Sequence, residues 1–258
     1  MKKIYYILMR AFLGAVAFAD FSKHDGFEID KILHVDGATS DLHYHLYVPD
    51  SYDGAEPYAF YISLPGYGGY YFQGAGTNLC NERFATEAKK YNPKMIIAAP
   101  QPNDWGQNSK RQIIALTEHL LKQFNVDLEK VYISGYSGGG ETLSLVVAER
   151  PDLFTSALHV SSRWDGGFDR IVAEMTPIYF VIGEEDEYYS SRPASDAYGT
   201  LRAAYKKAGL SDRRIATLAV LDIKSGSYFA ERDTTNQHGG GALFAYDETV
   251  MGWLFGER

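Results

Sequence analysis

Short apolar runs recur along the chain, each bounded by glycine, proline or polar residues. Runs of this kind are typical of strands that a sheet buries on both faces, as happens in the interior of a parallel sheet. They cover residues 58–64, 95–99, 131–134, 157–161, 178–182 and 217–223.

Two further strands are predicted near the start of the chain. Residues 42–48 alternate in polarity and are rich in β-forming side chains. We expect this strand to pair with residues 31–35 across the turn at Asp36-Gly37. With the six apolar runs, the pattern predicts eight strands.

Helical patterns separate most of the later strands. Ile113, Leu116 and Leu120 recur at helical spacing, and further helices are predicted at 142–149, 197–208 and 248–255. Strands that alternate with helices favour a parallel sheet with right-handed crossovers. Because no repeat or linker interrupts the pattern, we predict one α/β domain over residues 20–258, with a mostly parallel eight-stranded sheet flanked by helices.

The strongest chemical signal is the run Gly135-Tyr136-Ser137-Gly138-Gly139, which follows the strand at 131–134 and precedes a helix. A serine on a tight strand-to-helix turn projects its hydroxyl out of the sheet, and the flanking glycines prevent collisions between strand and helix. The helix N-terminus also directs N–H groups at negative charge that forms there. Ser137 is therefore the candidate nucleophile.

A nucleophilic serine needs a base, and on this arrangement the order along the chain is serine, acid, histidine. Only His159 and His238 follow Ser137. His159 lies within a predicted strand and precedes the acidic cluster, so we interpret it as structural. His238 lies in a glycine-rich loop between the last strand and the last helix, and we predict that it is the base.

The acid is expected after the strand at 178–182, which runs into Gly183-Glu184-Glu185-Asp186-Glu187. We predict Asp186, because a short side chain after the glycine turn holds an imidazole rigidly. Glu185 is the second candidate. The remaining acids are expected to be solvated loop charges.

Two backbone N–H groups are needed to stabilise an oxyanion. Gly138, directly after the nucleophile, is predicted to supply one. The second is expected from the loop Pro65-Gly66-Tyr67-Gly68-Gly69, with Tyr67 as the donor. A plain glycine turn is the alternative for this loop.

Other features carry weaker signals. Trp105 and Trp164 follow the carboxyl ends of strands, where ligands bind in such sheets, so each either lines the cleft or packs in the interior. His43 and His45 share one strand face, but no third metal ligand is evident, and a solvated strand face is the favoured interpretation. We expect no metal site.

Composition narrows the class of function. The chain has 258 residues, a net charge of −8, no cluster of Lys or Arg and a single cysteine, Cys80. A nucleic-acid partner is not expected, and an internal disulfide is excluded. The sequence has neither GxxxxGK nor GxGxxG, so no nucleotide site is indicated and no cofactor is expected.

The N-terminus permits two interpretations. Lys2 and Lys3, an apolar stretch and Ala17-Phe18-Ala19 predict a signal peptide over residues 1–19 and a secreted protein. Because Arg10 interrupts the apolar stretch, the alternative is an N-terminal helix of a cytoplasmic protein. No other segment approaches the length of a membrane span, so stable membrane anchoring is not expected.

With these residues in view, the chain resembles the α/β-hydrolase superfamily after about residue 25. The likeness is greatest to the polyhydroxybutyrate depolymerase and feruloyl esterase group and to prolyl-oligopeptidase-like hydrolases. It is carried by Leu46-Tyr47-Val48-Pro49, Leu64-Pro65-Gly66-Tyr67-Gly68-Gly69, Gly135-Tyr136-Ser137-Gly138-Gly139, Gly183-Glu184-Glu185-Asp186-Glu187 and Gln237-His238-Gly239.

The resemblance implies an α/β-hydrolase fold, a catalytic triad at Ser137, Asp186 and His238, and esterase activity on acetyl or feruloyl groups, including esters linked to polysaccharides. Pro65 departs from the family, in which many members have a histidine before the first glycine. The chain between Ser137 and Asp186 leaves little room for a lid, so we predict an open cleft with no large lid.

Two rival functions are kept. A peptidase of the prolyl oligopeptidase kind uses the same three groups, but such enzymes usually carry a large additional domain for which this chain has no room. A catalytically inactive binding module on the same fold is the other, and the intact order of serine, acid and histidine argues against it.

Overall fold

We describe residues 23–256 of a computed structural model of the chain. Their strands form one sheet, in the order β1-β2-β3-β5-β4-β6-β7-β8-β9. The strands are β1 Lys23–His24, β2 Phe27–Leu33, β3 Leu42–Tyr47, β4 Tyr58–Leu64, β5 Met95–Gln101, β6 Val126–Tyr136, β7 Ser156–Val160, β8 Ile178–Gly183 and β9 Ala219–Lys224.

Helices occupy most of the connections in the described part of the chain. The α-helices are α1 Thr77–Asn81, α2 Phe84–Glu87, α3 Gln107–Gln123, α4 Gly138–Glu149, α5 Asp169–Glu174, α6 Arg192–Lys207, α7 Asp212–Leu218, α8 Gly226–Ala230 and α9 Glu248–Leu254. Short 3₁₀ helices cover Tyr67–Gly69, Tyr71–Gln73, Ala88–Lys90, Pro151–Leu153 and Gly239–Tyr246.

The sheet is mostly parallel, as the alternation of strands and helices predicted. Every pairing from β5 through β4, β6, β7 and β8 to β9 is parallel. The pairings β1–β2, β2–β3 and β3–β5 are antiparallel, including the predicted hairpin. Among the described residues the sheet has nine strands rather than eight, because the two-residue β1 extends its edge.

Both faces of the sheet are buried, which explains the continuous apolar runs. Phe60 and Ile62 of β4 face a core built with α3, α4 and α6. The alternate residues Ala59 and Tyr61 face a second core built with α2 and α9. Successive strand side chains point to opposite faces, so only apolar residues on both sides let β4 lie between two helical layers.

Several predicted boundaries were wrong: β2 begins at Phe27 rather than at residue 31, α4 at Gly138 rather than at 142, and α6 at Arg192 rather than at 197. Two further differences have a local explanation. β6 begins at Val126 rather than at residue 131, because its first part carries Asp127, Glu129 and Lys130, which hide a strand pattern. The strand predicted from residue 217 begins at Ala219. The preceding residues belong to α7, whose N-terminus is capped by the Ser211 side chain.

The N-terminal segment at residues 1–19 lies outside the described residues, so the signal peptide stays a prediction. Within residues 23–256, no helix has the length and apolar character required for a membrane span. Between β7 and β8 the chain forms a single short helix, α5.

The junction of β6 and α4 is packed main chain against main chain. A Cβ on Gly135 would lie 2.6 Å from the carbonyl carbon of Gly139, and a Cβ on Gly139 would lie 2.5 Å from the carbonyl oxygen of Pro65. Neither partner is a flexible side chain that could move aside. The glycines of the elbow are therefore required by close approach, as the sequence predicted.

We expect Gly135→Ala to lower the free energy of unfolding by about 2 kcal/mol or more, because overpacking at a backbone contact forces the strand and helix apart. The control is Gly199→Ala on the exposed side of α6, where an added Cβ meets nothing within 4 Å. That change should stabilise the protein by about 0.5–1 kcal/mol, because alanine favours a helix interior. Urea unfolding measures both. Equal stability of Gly135→Ala and the wild type would contradict the packing argument.

Candidate active site

Ser137 occupies the turn between β6 and α4 in a backbone conformation rare for a non-glycine residue, with φ 53° and ψ −122°. Its N–H donates to the Val160 carbonyl at 2.9 Å, and its carbonyl accepts from the Gly140 N–H at 2.8 Å and the Ser162 hydroxyl at 2.6 Å. These bonds hold a conformation that costs about 1–3 kcal/mol. Strain of this kind is typical of a serine presented for chemistry.

The structure brings the three predicted groups into one chain of hydrogen bonds. The Ser137 Oγ lies 3.0 Å from His238 Nε2. His238 Nδ1 lies 2.9 Å from Oδ2 and 3.1 Å from Oδ1 of Asp186. Asp186 is 4 % exposed, whereas the imidazole lies at the edge of a cleft. With a carboxylate on Nδ1, the tautomer that leaves Nε2 free to accept a proton is favoured.

The order of the acidic run after β8 determines which carboxylate reaches the imidazole. The Asp186 Oδ1 also accepts hydrogen bonds from the Tyr188 and Tyr189 N–H groups, at 3.0 and 2.8 Å, and these bonds fix its side chain in a tight turn. Glu185 is exposed, whereas the imidazole of His238 bonds to Asp186 and Ser137. The geometry therefore favours Asp186 over Glu185.

Glu187 is exposed, as expected of a loop charge, but it also binds the loop that carries the histidine. Its carboxylate accepts the N–H groups of Gln237 and His238, at 3.0 and 2.9 Å. These bonds, led by the one from His238, hold the pKa of Glu187 below its ordinary value. The Gln237 side chain returns a bond to the acidic loop by accepting the Glu185 N–H at 2.8 Å. The loops that carry the acid and the histidine are thus bonded reciprocally.

The two predicted oxyanion donors lie beside the serine. Gly138 is the first residue of α4, and Tyr67 begins the 3₁₀ turn after β4. Within residues 23–256, neither N–H donates a hydrogen bond. Both residues line the cleft that also contains Ser137. The cleft thus contains two residues whose N–H groups have no partner among the described residues, and their role as oxyanion donors stays a prediction.

Tyr70 is a cleft residue that sequence analysis missed. Its side chain is buried, and its hydroxyl has no hydrogen-bond partner among the described residues. The hydroxyl adjoins Gly138 so closely that a Cβ on this glycine would collide with it. A buried unpaired donor is costly, so this hydroxyl is available to an oxygen atom of a bound ligand.

The cleft above Ser137 has a volume of about 400 Å³ and mostly aromatic walls. Trp105 stacks on Tyr70, with ring centroids 5.7 Å apart, and lines the cleft, which is the first of the two alternatives left open for it. Tyr188 and Tyr189 line the side nearest His238. The rings give an apolar site with few polar groups, which is the usual character of a small-molecule site.

One buried carboxylate, Glu141 on the first turn of α4, also lines the cleft. Its oxygens accept from the Tyr189 hydroxyl at 2.5 Å and from the Arg163 guanidinium at 3.1 Å. Burial, followed by this bond to a carboxylate, raises the pKa of Tyr189. The charge of Glu141 is therefore balanced by Arg163, and Tyr189 is held as a neutral phenol.

Trp164 does not line the cleft, so its packing alternative is correct. Its ring stacks on Phe168 and lies edge-on to Phe180, and its indole N–H donates to the Gly166 carbonyl at 2.9 Å. His159 is buried beside it, as the structural interpretation expected, and burial lowers the pKa of His159 to about 4. These contacts turn both residues toward the core rather than toward Ser137.

His43 and His45 do not form a solvated strand face. His45 is fully buried, with Nε2 2.6 Å from the Gln101 side-chain oxygen and Nδ1 3.0 Å from the Asp30 N–H. His43 stacks on Tyr71. In the described part of the chain, no group of three or more potential metal ligands occurs.

Of the residues that sequence analysis missed, Tyr70 and Glu187 had the clearest signals. Tyr70 closes the same glycine loop that predicted Tyr67, and Glu187 belongs to the acidic run that predicted Asp186. Neither the unpaired hydroxyl nor the bond to the histidine loop follows from that proximity. Both depend on loops that meet only in the folded chain.

Residues 101–206 match the prolyl oligopeptidase family. That segment contains Ser137 and Asp186 but ends before His238, and it covers less than half of the chain. A comparison with curated proteins found no match.

Several solved structures share the fold. A thermostable esterase superposes with a TM-score of 0.68 at 20 % identity, over 90 % of this chain and 63 % of that one. The feruloyl esterase module from Clostridium thermocellum, complexed with sinapinate, gives 0.63 at 13 % identity over 90 % and 89 %. Est1E from Butyrivibrio proteoclasticus gives 0.57 at 16 % identity over 87 % and 97 %.

This chain therefore spans under two thirds of the thermostable esterase, and at such identities the superpositions establish the fold alone. The mostly parallel sheet, the helices on both faces and these superpositions confirm the predicted architecture. The chain has the α/β-hydrolase fold.

Proposed function

We propose that this protein is a serine esterase that cleaves carboxylic ester bonds through an acyl-enzyme on Ser137. The observation that carries the proposal is the chain of hydrogen bonds from Ser137 Oγ through His238 to Asp186, at 3.0 and 2.9 Å. It lies beside two unused N–H donors at the floor of an open aromatic cleft. These are the parts that acyl transfer requires.

In the first half of the reaction, Ser137 Oγ attacks the ester carbonyl carbon while His238 Nε2 takes the hydroxyl proton. Asp186 stabilises the imidazolium that results. The carbonyl oxygen becomes an oxyanion, which the N–H groups of Gly138 and Tyr67 stabilise. The intermediate collapses when the bond to the alcohol oxygen breaks, and His238 returns its proton to that oxygen.

In the second half, water repeats the sequence. His238 takes a proton from water as its oxygen attacks the acyl carbon, and the second oxyanion occupies the same donors. Collapse breaks the bond to Ser137 Oγ, which recovers its proton from His238. The acid leaves, and the enzyme returns to its starting state. The Tyr70 hydroxyl beside Gly138 is available as a further donor to the bound ester.

The cleft supports small ester substrates. Tyr67 is 60 % and Trp105 41 % exposed at its mouth, and the connection from β7 to β8 supplies only the short helix α5 rather than a lid. An open site with aromatic walls favours short-acyl or aryl esters, of the acetyl or feruloyl type, including esters linked to a polysaccharide. Their alcohol portion extends into solvent through the open mouth.

A peptidase is the second candidate, because residues 101–206 match the prolyl oligopeptidase family. The same groups attack an amide, so geometry near Ser137 does not separate the two activities. The two are separated by assaying p-nitrophenyl acetate beside a proline p-nitroanilide peptide. Faster turnover of the peptide by a large factor would favour the peptidase.

For the ester activity, we expect Ser137→Ala to reduce kcat on p-nitrophenyl acetate by about a thousandfold or more, with the fold unchanged. His238→Ala should cost a similar factor. The double variant should be little worse than either single variant, because the residues act as one unit. Additive losses would show that His238 does not serve Ser137, and a wild type that neither hydrolyses esters nor reacts with a fluorophosphonate probe would favour a binding module.

Asp186→Asn should lower kcat strongly, because the imidazole loses the carboxylate that selects its tautomer. Glu187→Ala should lower kcat by about tenfold, because His238 loses a bond that fixes its backbone, and small displacements of reacting groups are costly. Glu187→Gln keeps one acceptor oxygen and should recover part of this loss. The matched control is Glu185→Gln, which should stay within about twofold. A larger loss in Glu185→Gln than in Asp186→Asn would identify Glu185 as the acid.

Substrate size provides a separate test. Across p-nitrophenyl esters of increasing acyl length, we expect kcat/KM to be highest from acetyl to butyryl, with no jump in rate when a substrate exceeds its solubility limit. Enzymes that act at oil surfaces commonly use a mobile lid, and the open cleft has none among residues 161–177. Efficient hydrolysis of long-chain triglyceride emulsions with an interfacial jump would exclude this substrate class.

A further inference from the structure

Glu82 is a buried carboxyl directly behind the loop that carries Tyr67. It follows α1 and is only 6 % exposed. Its Oε1 accepts the Gly66 N–H at 2.8 Å. Gly66 precedes Tyr67, whose N–H is one of the two proposed oxyanion donors. The Gly66 N–H belongs to the Pro65–Gly66 peptide, directly before the peptide that carries the Tyr67 N–H, so Glu82 fixes the start of the loop that presents this donor.

The space around the Cα of Gly66 is filled by neighbouring side chains. A Cβ on this residue would lie 2.9 Å from the ring of Tyr136, and 3.2 Å from the Glu82 carboxyl. The Tyr136 hydroxyl in turn donates to the His238 carbonyl at 2.7 Å. Gly66 is thus packed between the Tyr136 ring and the Glu82 carboxyl. The hydroxyl of the same tyrosine bonds to the loop that carries His238.

No cation balances Glu82 in the described part of the chain. The neighbouring Arg83 bonds to Asp25 and pairs with Glu87, which in turn pairs with Lys90. Titratable groups that interact electrostatically with Glu82 include the phenols of Tyr70 and Tyr136. Burial raises the pKa of Glu82 to about 8, although the bond from Gly66 opposes this effect. Burial therefore favours the neutral form of this carboxyl over the carboxylate.

We propose that Glu82 is a positioning residue of the esterase, which fixes the loop at residues 65–69 through the Gly66 N–H and does so as a neutral carboxylic acid. The inference rests on the proposed function. As a neutral acid, Glu82 aligns the Tyr67 donor without placing a negative charge behind it. A carboxylate at the same place would oppose the negative charge that develops on the substrate, because charges in a buried site are weakly screened.

Activity and its dependence on pH test the proposal. Glu82→Gln keeps an acceptor for the Gly66 N–H and cannot ionise, so its kcat on p-nitrophenyl acetate should stay within about twofold of wild type at pH 7. Between pH 7 and 9.5 the wild-type kcat should fall several-fold around pH 8, and Glu82→Gln should lack this fall. Glu82→Ala should lower kcat by about tenfold or more with little change in KM, because donors in an oxyanion hole act on the transition state.

The matched control is Glu87→Gln, a nearby buried acid that pairs with Lys90 and Arg83 instead of with the loop. It should keep both the wild-type kcat at pH 7 and the wild-type fall above pH 8. A kcat of Glu82→Ala within twofold of wild type would overturn the positioning role. A full alkaline fall in Glu82→Gln would show that another group titrates.

Stability supplies a readout independent of activity. Because the pKa of Glu82 is higher in the folded than in the unfolded chain, the folded protein retains a proton that the unfolded chain releases. The free energy of unfolding of wild type, measured relative to Glu82→Gln, should therefore fall as the pH rises from about 4.5 to 8 and stay level above that. If the difference in free energy of unfolding between wild type and Glu82→Gln does not change with pH, the proposal that Glu82 is a neutral acid is overturned. If that trend appears while wild type neither hydrolyses esters nor reacts with a fluorophosphonate probe, the proposed function fails and the protonation of Glu82 stands.

Discussion

The geometry of the site depends on one close contact between main chains, where α4 turns back against β6. The backbone of Ser137 takes a left-handed φ only because Gly135 and Gly139 have no side chains to separate the strand from the helix. Hydrogen bonds to Val160 and from Ser162 then fix the turn from the neighbouring strand. A strained residue persists where its surroundings determine it this completely.

Around that turn, the other groups lie on loops that follow separate strands at the same edge of the sheet. Parallel strands place their carboxyl ends together, so loops distant in sequence meet above Ser137. Asp186 follows β8, and Tyr67 follows β4. His238 is the exception, since its loop lies beyond α8 and is held by Glu187 and Tyr136 instead of by a strand. Precise placement of the imidazole therefore depends on Glu187 and Tyr136, which are not members of the hydrogen-bonded set of Ser137, His238 and Asp186.

Acidic side chains surround the site, and the fold gives them different states. Asp186 is bonded to His238, Glu187 to backbone N–H groups and Glu141 to Arg163. Glu82 has no cation among its described partners, and burial favours its neutral form. Residues of one chemical class thus serve different purposes because solvent and partners differ.

The sequence by itself determined the parallel sheet, the elbow at Ser137 and the order of serine, acid and histidine, because apolar runs and glycine spacing are local consequences of burial and close approach. It did not determine which way Trp164 faces, what Glu187 binds or that Tyr70 has an unpaired hydroxyl. Those properties arise where loops from different strands meet. Only the tertiary structure decides them, since desolvation and hydrogen bonding depend on neighbours that lie far away along the chain.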